Sequence, residues 1–101
     1  MAWYQYLMVF FGGAFTANFI PHFVRGITGT QFPTPFAKPP GKGPSSPTVN
    51  VGWGLLNLLV GYLLLHGAGF SMSDPAAAAI AFVGFGLMGL MLSKAFAPFN
   101  G

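Results

Sequence analysis

The chain has 101 residues, 53% of them apolar and only 5% charged, where soluble domains carry about 25% charged residues. One acidic side chain, Asp74, stands against four cationic ones, and cysteine is absent. That composition excludes a water-exposed surface, thiol chemistry, paired-carboxylate catalysis and the dense basic face that nucleic acid requires.

The expectation is a single all-α membrane domain with three transmembrane helices. A long Pro/Gly-rich loop separates helices 1 and 2. The first span is read over residues 3–24, long enough for a hydrocarbon core of about 30 Å. Trp3, Tyr4 and Tyr6 suit the headgroup region at its start, and Arg25 can snorkel at its end. The start lacks the basic n-region of a signal peptide. Gly12 and Gly13 are expected to loosen the middle of this helix, and Pro21 to kink it. Phe11, Phe15, Phe19 and Phe23 recur every four residues and form an aromatic stripe directed at lipid or another subunit. Ala14, Ala17, Asn18, Pro21, His22 and Arg25 form a small or polar face that should meet protein.

Residues 25–50 show neither helical nor strand periodicity. Gly26 and Gly29 read as the helix exit, followed by FPTPF, KPPGKGP and SSP, a composition of turns and polyproline II. Lys38 and Lys42, set among Phe32 and Phe36, suit an interfacial element meeting anionic headgroups. A flexible solvated loop fits the same residues equally well. The run KPPGKGPS lacks the strand and spacing of a phosphate-binding loop.

The second span is read over 51–66, with Thr48 or Asn50 as N-cap. Asn50, Trp53, Gly54, Asn57, Gly61 and Ala68 share its small and polar face. A short turn then leads to Asp74 as a cap and Pro75 at the first helical position. The third span is read over 75–97, with Ala77, Ala81 and Gly84 as a packing surface and Pro98 as its stop.

Arg25, Lys38, Lys42 and Lys94 all fall on the side of the 25–50 loop. The positive-inside rule makes that side cytoplasmic and puts the N-terminus outside. Asn18 and Asn57 then lie at similar depth, each about 10 Å from the loop side. The cluster of Asn18, His22 and Arg25 with Asn50, Trp53 and Asn57 can hold a ligand, or it can hold the helices together. Interhelical amides are ordinary packing contacts, so the second is preferred. His22 and His66 are separated by the membrane, and no haem or metal site within one chain is expected. His66, Ser71, Ser73 and Asp74 lack the rigid frame of a catalytic triad.

The function expected is that of an accessory or structural component, not an enzyme, with no cofactor. Its partners are the bilayer and either further copies of itself or a larger complex. The basic loop would contact a protein or anionic lipid. A homo-oligomeric channel or transporter lined by Asn18, His22 and Asn57 is the alternative. A quinone- or haem-contacting subunit is the third reading.

Overall fold

A computed structural model describes residues 1–100. Among these residues there are four helices and no strand: α1 (Trp3–Ile27), α2 (Pro47–Gly67), α3 (Pro75–Ala95) and the short α4 (Ala97–Asn100). The first three are each long and apolar enough to cross a membrane. The molecule is elongated, 40 Å by 22 Å by 21 Å. The loop between α1 and α2 and the C-terminal segment share one end, called the loop end below. The turn between α2 and α3 lies at the far end.

α1 is the central helix. It packs against both α2 and α3, while α2 and α3 do not pair with each other. Adjacent glycines make this possible. A Cβ on Gly12 would meet the Leu65 side chain of α2 at 2.7 Å, whereas one on Gly13 would overlap the Ala81 carbonyl of α3. On the α3 side, Gly84 lies so close to the Phe10 carbonyl that a Cβ there would collide with backbone. The two glycines expected to loosen α1 are therefore its contact points with two different neighbours. Small residues permit such backbone approach. α1 runs uninterrupted through Pro21 and includes Gly26, so the exit lies three residues beyond the expected 24.

α2 also starts earlier than residue 51. Ser46 is the N-cap, its hydroxyl accepting from the Val49 amide at 3.1 Å, and Pro47 follows at the first turn. Neither Thr48 nor Asn50 caps; both are helical. A proline needs no amide partner at this position, and its fixed φ suits the helix start. At α3 the cap is the expected one, with Asp74 Oδ1 accepting from Ala76 and Ala77 at 3.1 and 3.3 Å. α3 closes at Ala95, before the expected 97. Pro98 does not stop it. Instead Phe96 breaks the helix, and Pro98 lies inside the short α4 that turns the chain back.

The connection between α1 and α2 is folded onto the bundle, in contrast to a solvated loop. Phe32 and Ser45 exchange backbone hydrogen bonds at 3.2 and 3.0 Å and pinch its base. Inside the pinch, the Thr34 and Ser45 hydroxyls bond at 2.6 Å, and the Thr34 carbonyl accepts from Ala37 and Gly41. Phe32, Pro33, Thr34, Ala37 and Ser45 are buried. This is an Ω-type loop, closed at its ends and filled by its own side chains. Lys38 and Lys42 project from its exposed tip.

Candidate functional site

The polar residues of α1 and α2 form a seam running inward from the loop end. At its outer rung, His22 Nδ1 lies 2.8 Å from Asn50 Oδ1. The Asn50 amide nitrogen faces three carbonyls, those of Phe32 at 2.8 Å, Ser46 at 3.1 Å and Ser45 at 3.4 Å. Only a nitrogen donor suits that position, so the Oδ1 atom must face the imidazole and Nδ1 must donate. In the neutral ring the proton therefore sits on Nδ1, and Nε2 keeps its lone pair. His22 is 2% exposed and Asn50 fully buried.

The inner rung joins Asn18 to Asn57. Asn18 Nδ2 donates to Asn57 Oδ1 at 2.9 Å, and Asn57 Nδ2 donates to the Trp53 carbonyl at 2.7 Å. Their spacing follows from helix periodicity. His22 is four residues after Asn18, and Asn57 is seven after Asn50, so each pair shares a face. Between the rungs Gly54 lies against the Phe23 amide of α1, where a Cβ would be 3.0 Å away. No fully buried side-chain nitrogen or oxygen among the described residues lacks a partner.

Aromatic rings close around His22. Phe32, Phe96 and Trp53 present edge-on contacts with centroids 5.6, 5.7 and 6.4 Å away. Phe32 belongs to the Ω loop and Phe96 to the end of α3, and the two rings pack together at 4.5 Å. Phe99 adds an edge contact to Phe32 at 5.6 Å. Trp53 also meets Phe36 at 5.3 Å.

Arg25 sits at the rim of this assembly. Its guanidinium lies 4.8 Å from the Phe32 ring centroid, and Nη2 donates to Asn100 Oδ1 at 2.6 Å. Of the residues singled out in the sequence, Asn18, His22, Asn57 and Trp53 thus share the α1/α2 seam, and Arg25 stands beside it. Lys38 and Lys42 are at the loop end too, but on the Ω-loop tip. His66 lies at the far end, exposed and stacked on Tyr62 with centroids 5.6 Å apart.

Phe32, read in the sequence as part of an interfacial element, is instead buried against His22. Sequence reasoning missed Phe96 and Asn100, which bring the C-terminal turn to Phe32 and Arg25. Phe96, Phe99 and Asn100 follow a helical i, i+3, i+4 spacing. That signal is hidden because Pro98 sits within it. Comparison with protein-family models, with curated proteins and with solved structures finds no match.

Proposed function

We propose that the chain is a three-span membrane protein with its N-terminus outside and its loop end cytoplasmic. There it acts as an accessory component that engages anionic lipid headgroups and contributes no chemistry of its own. The observation that carries this reading is the placement of charge. Arg25, Lys38, Lys42 and Lys94 all lie at the loop end, while Asp74, the only acidic side chain, caps α3 at the far end. Lys38 and Lys42 stand on a folded, internally bonded loop. Two ordered cations near a negatively charged leaflet contribute about 1 kcal/mol each.

The polar seam supports a structural role for Asn18, His22 and Asn57. Their side chains bond to one another and to Asn50 across a close helix contact. His22 and Asn57 are buried between α1 and α2 of one chain and present no surface to a neighbouring copy, which counts against a homo-oligomeric channel lined by them. For a quinone or haem contact, His22 Nε2 and Asn18 Oδ1 are acceptors that take no part in the two rungs' own bonds.

Reconstitution into nanodiscs of phosphatidylcholine with phosphatidylglycerol tests the reading. Enrichment of phosphatidylglycerol around the wild-type chain should drop in the Lys38→Gln, Lys42→Gln double variant and weaken with added salt. Equal enrichment in both proteins would sink it. The native mass after gentle extraction bears on the wider role. Co-purifying subunits support an accessory component, and a lone homo-oligomer supports the channel.

A further inference from the structure

A groove of about 400 Å³ runs along the side of the molecule between α1 and α3, and it ends at Arg25. The two helices meet closely at Gly13 and Gly84, and nearer the loop end Gly89 leaves space between them. Its walls are apolar, from Ala17, Ile20 and Pro21 on one helix and Phe85, Gly89 and Leu92 on the other. Ser93, Asn100 and Arg25 are the polar groups that line it, and Arg25 and Asn100 mark its loop end. From Ala17 to Arg25 the groove follows α1 for eight residues, about 12 Å. Its volume is within the range of about 300–1,000 Å³ typical of small-ligand sites.

From this geometry we infer that the groove binds one acyl chain of an anionic phospholipid, with the lipid phosphate on Arg25. The inference rests on the membrane reading above and names a discrete lipid site within it. The direction of the groove is one reason. It lies along the helices, as an acyl chain lies in a bilayer, and it is open at the side, so a lipid can enter laterally. Charge is the second. Arg25 has no carboxylate side chain at its end of the molecule to neutralise it. The third is preorganisation. Asn100 takes one guanidinium donor, and the Phe32 face holds the plane. A guanidinium carries five N–H donors in a fixed fork, so a pair remains for two phosphate oxygens. A lysine would offer the charge without that fork. Gly89 leaves the groove wide, since a Cβ built there meets nothing within 4 Å.

The test uses the full chain purified in mild detergent, titrated with phosphatidylglycerol or phosphatidylcholine and read by native mass spectrometry. Wild type should retain one phosphatidylglycerol per chain at activation energies that strip phosphatidylcholine. Gly89→Phe should fill the groove and lower that affinity by about tenfold or more. Arg25→Gln should erase the preference for phosphatidylglycerol while leaving weak binding of either lipid. Circular dichroism confirms that both variants keep wild-type helix content. Lys38→Gln with Lys42→Gln should leave the single tight lipid in place, although it reduces enrichment in nanodiscs. Wild-type retention in Gly89→Phe would overturn the groove site, even with enrichment still dependent on Lys38 and Lys42. Absence of any phosphatidylglycerol preference in wild type would overturn both readings. A second copy of the chain in place of the lipid, seen as a dimer that Gly89→Phe dissolves, would overturn the lipid assignment alone.

Discussion

His22 and Asn50 hold each other in one orientation. The Asn50 amide is committed to three backbone carbonyls, so its oxygen can only receive the Nδ1 proton of His22 at 2.8 Å. One side chain thereby links α1, the start of α2 and both ends of the Ω loop. Nitrogen-15 chemical shifts of the imidazole should report the Nδ1-protonated tautomer. The reverse tautomer would show that Asn50 is turned over and that the loop closes differently.

Replacing Asn50 by Ala leaves the His22 Nδ1 donor without a partner in a buried place and takes from the Phe32 carbonyl one of its two donors, the Ser45 amide remaining. The orphaned donor alone costs about 1–3 kcal/mol. Asn50→Ala should therefore be the most destabilising single substitution in the seam, measured by reversible unfolding in mixed micelles. Protease cutting between residues 32 and 45 should rise in parallel, because the amide is what ties the loop base to α2.

The inner rung should be worth less. A double-mutant cycle of Asn18→Leu and Asn57→Leu should return a coupling of about 0.6–2 kcal/mol, the range of interhelical hydrogen bonds in membrane proteins. A coupling near zero would mean that each amide finds another partner once its mate is gone.

At the α1/α3 contact, Gly84→Val places side-chain atoms where the Phe10 carbonyl stands. The helices must separate, with loss of the packing around Gly13 and Gly84. Disulfide cross-linking of a cysteine pair across α1 and α3 should fall severalfold, whereas a pair across α1 and α2 should link as before. Equal loss at both interfaces would mean that the two packings are one cooperative unit.

Orientation is open to direct labelling, since the native chain has no cysteine. Gln31→Cys at the loop end and Met72→Cys at the far end both place thiols at exposed positions. In intact cells an impermeant maleimide should reach position 72 and not position 31. The opposite pattern would reverse the assignment of sides.

Much of the framework is legible in the residues. Length and apolarity mark the helices, Asp74–Pro75 marks a start, and the small faces of α2 and α3 mark their contact with α1. The seam is visible as well, since polar side chains at helical spacing on two apolar segments have few other uses. What escapes is whatever depends on contacts between distant pieces. Gly12 and Gly13 look like a weak point until the neighbours on either side are known. The Ω loop carries no periodic pattern, because its order comes from the Thr34–Ser45 and Asn50 bonds. The C-terminal turn is concealed by Pro98, which reads as a terminator although it is equally suited to the first turn of a new helix.

The central place of α1 has a consequence for how the chain is made. Both of its interhelical side-chain partners in the seam, Asn50 and Asn57, belong to α2, and α3 supplies none. Placed alone in a bilayer, α1 would carry Asn18 and His22 without interhelical partners, at a cost that lipid does not relieve. Pairing with α2 removes that cost without any contribution from α3. The third helix docks on a finished surface. Truncation after the second helix should leave a product that escapes quality control, and truncation after the first should leave one that is degraded.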